Sequence, residues 1–265
     1  MNTSKNKDFV FEEDDYLWKY LDLHKFFYFI IHKNLVFTRL DRFEDPLEGL
    51  PDKILSILSI LEIEPNSKKE LNDSFTDEQK DDFLIKRRHD EKYANEQIDL
   101  YQKMQFANCW FLSRKESFAM WNNYSNKDSV AIRYKPNDLL KIVLPSANSY
   151  VHADFQEFVY GLVDYDDIWP YNHYKKSRKD IIYTAFKKDN SYEHENEFRF
   201  LVATNTECIN KYDSFELPLG DITKDDFWIF TNPYMDQWKF NNLKQMLKDY
   251  SMDKKLYKSK LKIKK

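Results

Sequence analysis

The sequence predicts an α+β fold: a largely antiparallel central sheet, flanking helices and a charged helical insertion at 52–105, all in one domain spanning 1–265. Three observations lead there. Short stretches rich in aromatic and β-branched residues recur without the strand–helix–strand regularity of a parallel sheet. The segment 52–105 is instead dense in Lys, Asp and Glu and poor in β-branched residues, as exposed helices are. The chain has only three glycines, Gly49, Gly161 and Gly220, so no GxGxxG or P-loop pattern exists and the dinucleotide and phosphate folds built on them are excluded.

Taken in order, residues 16–31 open as an aromatic strand and turn helical. Leu35 to Leu40 reads as a strand with Val36 and Thr38 on one face and Leu35, Phe37 and Arg39 on the other. A turn rich in Asp, Pro and Gly follows at 41–51. After the insertion come a strand at 106–112, a short helix at 118–124, a strand at 129–134 and an apolar segment at 139–143. Gly161 to Tyr165 and the Trp169 region continue the sheet, and 179–186 leads as helix or strand into a strand at 192–203. A strand at 228–230, an amphipathic helix at 240–250 and an alternating strand at 256–263 complete the chain.

Composition narrows the function classes. The chain of 265 residues is long enough for a substantial core, and its 17% aromatic content supplies large rings to bury. The joint abundance of Lys, Asn, Ile, Tyr and Phe fits an AT-rich genome, so not every ring is a ligand platform. Net charge is a mild −4, yet the last twelve residues carry seven lysines, which suits nucleic acid or simple solvation. Cys109 and Cys208 stand far apart beside apolar residues and read as small buried hydrophobes; no CxxC or clustered His suggests zinc. The polar start lacks a signal-peptide core and the longest apolar run, 26–31, is too short to span a bilayer, so a cytoplasmic protein with no membrane partner is expected.

Three clusters carry candidate chemistry. Arg39 leaves a strand just before Asp45 and Glu48; the guanidinium fork suits phosphate or carboxylate, or it pins its own loop. Glu116 precedes a short helix capped by Ser117, on which Trp121 and Tyr124 form an aromatic wall or part of the core. On a strand at 192–203, Glu195, Glu197 and Arg199 share one face while Phe198 and Phe200 share the other. Two carboxylates one pleat apart repel unless paired or differently protonated, so they are the catalytic candidates. Arg39, Asp45, Glu48, Glu116, Trp121, Tyr124 and Arg199 are the ligand-binding candidates. No metal ligands are assigned.

These segments together resemble a known family. They are Trp18-Lys19-Tyr20, LVFTR at 35–39, FEDPLEG at 43–49, NCWF at 108–111, ESFAMWNNYS at 116–125 and SVAIRY at 129–134, followed by KKDNSYEHENEFR at 187–199, NPYMDQW at 232–238 and YKSKL at 257–261. The chain resembles the bacterial domain-of-unknown-function family 2971 over essentially its whole length. It departs at Glu44, where Asn or Asp is common, and at Tyr192, where Phe is common. The resemblance implies a bacterial accessory protein of mobile or defence neighbourhoods and supplies no reaction.

The functional expectation is a defence or toxin-type effector with a nucleotide-handling cleft, most concretely an NAD-consuming or ADP-ribosyl-transferring enzyme. NAD is then a substrate, and no cofactor is bound permanently. Such chemistry needs a carboxylate at the ribose, an aromatic wall and a cation. A non-catalytic sensor that binds a nucleotide or a protein is the alternative, and a metal-dependent nuclease the second. All three weaken together if Arg39, Glu116, Glu195, Glu197 and Arg199 scatter instead of converging on one pocket.

Overall fold

The computed structural model describes residues 1–168 and 181–262. In chain order the elements are β1 (Asn2–Lys5), β2 (Leu17–Leu21), α1 (Leu23–His32), β3 (Asn34–Arg39), α2 (Asp52–Ile63), α3 (Asp77–Met104), β4 (Gln105–Leu112), α4 (Phe118–Tyr124), β5 (Val130–Tyr134) and α5 (Pro136–Ser149). There follow β6 (Phe155–Leu162), β7 (Asp164–Asp166), β8 (Lys187–Asp189), β9 (Glu197–Thr204), β10 (Ser214–Pro218), β11 (Phe227–Thr231), α6 (Gln237–Lys248) and β12 (Leu256–Lys258). The fold is α+β, as expected.

Ten strands form one sheet in the order β1-β6-β9-β4-β2-β5-β11-β12, with β3 and β10 attached through β4. The pairs β1–β6 and β11–β12 at its two ends are parallel, and every other pair in it is antiparallel. Alternation sorts the side chains. Phe106, Trp110, Ile132, Phe198 and Phe200 join the main core with Phe26, Phe29, Leu139, Val143, Leu243 and Leu247 from α1, α5 and α6. Full burial of each such side chain contributes about 1.5–3 kcal/mol. The opposite face carries smaller clusters under α4 and around Leu40 and Phe186, and α2 contributes Ile54 and Leu55 to another.

The sheet forks at β4. Its Phe106 and Ala107 pair with β3, its Phe111 and Leu112 pair with β2, and Asn108, Cys109 and Trp110 between them meet neither strand. Backbone groups left unpaired in an interior must find other partners. Lys19 of β2 donates to the Cys109 carbonyl at 3.0 Å, and Asn108 donates to the Val36 carbonyl of β3 at 2.7 Å. Two side chains thus close a gap that strand pairing leaves open.

Several sequence expectations shift. The strand expected over 192–203 begins only at Glu197, because residues 190–195 form a 3-10 helix and Asn196 takes a left-handed φ of 36°. The closing strand ends at Lys258 rather than 263, and Ile263 to Lys265 lie outside the described residues. Residues 139–143 belong to helix α5, and the polar start contains β1. Residues 181–186 form a 3-10 helix; Trp169 and residues 179–180 lie outside the described residues. The 52–105 segment supplies α2 and α3, and α3 passes without a break into β4. No helix among the described residues is long and apolar enough to cross a membrane.

Candidate functional site

The fork opens into a cavity of about 410 Å³ on the face of the sheet away from the main core. Strand β9 sends Glu197 to its wall, the 3-10 helix before it sends Glu195, and the turn after β3 sends Asp45 and Glu48. Lys188 of β8 and Tyr124 at the end of α4 also line it.

Local sequence explains each placement. Asp45 Oδ1 accepts from the Leu47 amide at 2.9 Å and shapes the Asp-Pro-Leu-Glu-Gly turn. Gly49 has φ +74°, and a Cβ there would meet Leu40 Cδ1 at 2.6 Å, so glycine is required to turn Glu48 inward. Gln102 donates to the Pro46 and Glu48 carbonyls at 2.9 and 3.2 Å, and Gln105 donates to the Gly49 carbonyl at 3.1 Å. Helix α4 starts on Ser117, which caps the Met120 amide and itself donates its own amide to the Tyr20 hydroxyl at 3.0 Å. The Glu197 amide donates to the Tyr165 hydroxyl at 2.9 Å.

Three carboxylates converge on one ammonium. Lys188 Nζ donates to Glu197 Oε1 at 3.1 Å, contacts Glu195 Oε2 and lies 3.6 Å from Glu48 Oε2. Its ammonium also sits 4.4 Å from the Tyr192 ring centroid. Arg199 grips Glu197 with two bonds, of 2.7 and 2.9 Å, pairs with Glu48 and donates to the Ala185 carbonyl at 2.6 Å. The Tyr124 hydroxyl donates to Glu195 Oε1. Three carboxylates against two cations leave one negative charge in excess.

Burial and that excess together set the protonation, and burial raises the Glu48 carboxyl as well. Burial, the hydrogen bond shared with Glu197 and that neighbour's charge push the Glu195 carboxyl up to about 7. Burial also acts on Glu197, but Arg199 and Lys188 outweigh it and hold its carboxyl well below the usual range. The two carboxylates therefore differ in role near neutrality, one a fixed anion and the other half-protonated. Burial alone would lower Lys188, yet Glu197, Glu48 and Glu195 raise it above the ordinary lysine value, so it stays charged.

Of the predicted residues, the structure brings together Asp45, Glu48, Tyr124, Glu195 and Glu197 on this cavity. Arg199 is fully buried behind the wall, where it holds carboxylates rather than facing ligand. Arg39 is elsewhere: its guanidinium pairs with Asp41 at 2.8 and 2.9 Å and with the Ile209 and Tyr212 carbonyls, so it pins the loop. Glu116 accepts from Ser259 and the Lys260 amide at 2.6 Å each and latches the C-terminal segment. Trp121 is core: its ring is buried against Tyr20 and its Nε1 donates to Glu116 at 3.1 Å. The expected convergence of Arg39 and Glu116 with the carboxylates does not occur, because local partners claim both.

Sequence reasoning missed five contributors. Lys188 sits in an unremarkable Lys-Lys pair, and only its position seven residues before Glu195 hinted at a shared site. Lys19 lies within the aromatic stretch of β2, and burial in the cleft lowers its ammonium to about 8. Cys109 packs against the cluster around Leu40 and Phe186, as a small hydrophobe would, and also lines the cavity; burial pushes its thiol up, so it is not a thiolate nucleophile. Gln102 and Gln105 arrive from a segment that carried no chemical pattern.

Residues 120–200 match the model of the family described as protein of unknown function, DUF2971. The DUF2971 match spans Tyr124, Lys188, Glu195, Glu197 and Arg199, and leaves out Lys19, Asp45 and Glu48. The resemblance expected along the whole chain is thus supported over this stretch alone. No curated protein and no solved structure matches the chain.

Proposed function

We propose that the carboxylate cavity is a catalytic site that cleaves the bond between a ribosyl carbon and its nitrogen leaving group in a nucleotide, with NAD the most concrete substrate. The observation that carries this reading is the Glu195–Glu197 pair, whose proton affinities are driven apart on one cavity wall. Glu197, kept anionic by Arg199 and Lys188, faces the positive charge that develops on the ribose ring. Glu195 is the proton acceptor: water adds to the ribosyl carbon, the C–N electron pair departs with neutral nicotinamide, and the water's proton passes to Glu195. Tyr124 and Lys188 orient it. Phe43, Phe111 and Tyr192 line the cavity and supply aromatic surface beside the leaving group. An enzyme that drains NAD would act as a toxin-type effector.

The test is release of nicotinamide from NAD by the purified chain, followed chromatographically. Glu195→Gln is expected to lower the rate about 10²–10⁴-fold, the usual range for losing a positioned acid–base group. Absence of release from NAD, nicotinamide mononucleotide and nucleosides alike would sink the catalytic reading.

The non-catalytic sensor reading draws on the closure of the network, in which every carboxylate already faces a cation or hydroxyl. It predicts thermal stabilisation by a nucleotide without turnover. The metal-dependent nuclease reading gains no comparable support, because Lys188 Nζ stands where the carboxylates converge.

A further inference from the structure

A second cavity, of about 530 Å³, lies beside the first and shares Lys19, Tyr20, Lys25, Val36, Thr38 and Trp110 with it. Its remaining wall includes Phe29, Leu35 and Ile132 from the main-core side of the sheet. The first cavity is bounded by Glu197 and Ala107 on the opposite face. The two therefore meet at the fork, where β4 passes from β3 to β2.

Lys19 stands at that meeting place. An ammonium has three donors, and among the described residues this one has a single hydrogen-bond acceptor, the Cys109 carbonyl at 3.0 Å. Its other contact is the Trp110 ring, 5.6 Å from Nζ to centroid. No carboxylate lies within ion-pair distance of it among the described residues, in contrast with Lys188 a short way along the same wall. A half-buried cation without a counter-ion is costly to hold, and a ligand anion would offset that cost. Burial accordingly holds its ammonium at about 8. Lys25 supplies a second, largely exposed cation at the same seam, with Asp22 3.5 Å away as its own partner.

We propose that the two cavities form one ligand site, that Lys19 is its anion anchor, and that the ligand is a dinucleotide-type molecule: two ring-bearing halves joined through a phosphate bridge. This rests on the proposed nucleotide chemistry and names the substrate class for it. The bridge lies at Lys19 and Lys25, the ribose to be cleaved faces Glu195 and Glu197, and the far half occupies the second cavity against Tyr28 and Phe29. Each cavity is of the size that holds one small ligand, so a mononucleotide would fill one lobe and leave the other empty.

The test is calorimetric titration of the full chain with ADP-ribose, AMP and inorganic pyrophosphate. ADP-ribose is expected to bind at least tenfold more tightly than AMP. Lys19→Gln should weaken ADP-ribose and pyrophosphate at least tenfold, and Lys19→Arg, which keeps the charge, should stay within a few-fold of the parent. Tyr28→Ala should weaken ADP-ribose and leave pyrophosphate unchanged. Equal affinities for ADP-ribose and AMP, no binding of ADP-ribose, or an unaffected Lys19→Gln variant would overturn the proposal. The two readings fail separately. ADP-ribose binding in the expected pattern without nicotinamide release removes the catalysis and keeps the two-lobed site. Release from NAD and nicotinamide mononucleotide with equal KM, unchanged in Lys19→Gln, removes the two-lobed site and keeps the catalysis.

Discussion

Glu48, Glu195 and Glu197 share Lys188 and Arg199 along the cavity wall, with Arg199 fully buried and Glu48 1% exposed. Removing one partner from such a network strands a charge, which costs about 3–5 kcal/mol. Lys188→Met should lower unfolding stability by that amount in urea titration, whereas loss of an exposed lysine would cost far less. The proton on Glu195 has its own signature. Its carboxyl is raised in the folded chain from 4.5 to about 7, so the native state holds that proton more tightly than the unfolded one. The stability this contributes is full below about 4.5 and is lost as pH rises to about 7. The urea midpoint of the parent should therefore fall over that window relative to Glu195→Gln, and a pH-independent difference would contradict the assignment. In the catalytic role the same group must be unprotonated, so nicotinamide release should rise through pH 7.

At the level of elements, short-range pattern was a good guide wherever one face was buried. The alternation at 35–39 placed Arg39 beside Leu35 and Phe37, and β3 has that burial. The same logic placed Glu197 and Arg199 together on β9. It failed at Glu195, because the chain turns at Asn196 and the residue reaches the cavity from a 3-10 helix. Turn chemistry carries weight here too. Gly49→Ala must accept both a positive φ and a Cβ 2.6 Å from Leu40, a strain of about 1–3 kcal/mol, and should also displace Glu48. Lower thermal stability with weakened nucleotide binding is the expected result. Glu116 belongs to a different element pair. Glu116→Gln should loosen the segment at 259–261 and speed its proteolysis while leaving ligand affinity unchanged, the reverse of what a ligand-binding residue would do.

Across the whole molecule, the site depends on strands far apart in sequence. Lys19 comes from β2 and Glu48 follows β3, while Lys188 and the other two glutamates lie some 140 residues or more beyond Glu48. The DUF2971 stretch at 120–200 lacks β4, to which β9 pairs, and both β2 and β11, which flank β5. A fragment of residues 120–200 should therefore give the circular dichroism of an unfolded chain. Composition and periodicity were enough to establish the α+β class, the absence of glycine-rich phosphate loops and the shared face of Glu197 and Arg199, because these follow from local backbone geometry. They were silent on which cation each carboxylate would meet. Arg39 and Arg199 look alike as residues and each meets a carboxylate two positions away, Asp41 and Glu197, yet Arg199 also pairs with Glu48, 151 positions away. Ion pairs form over a few ångströms of space, and only the folding of the sheet, with its fork at β4, brings those partners within that reach.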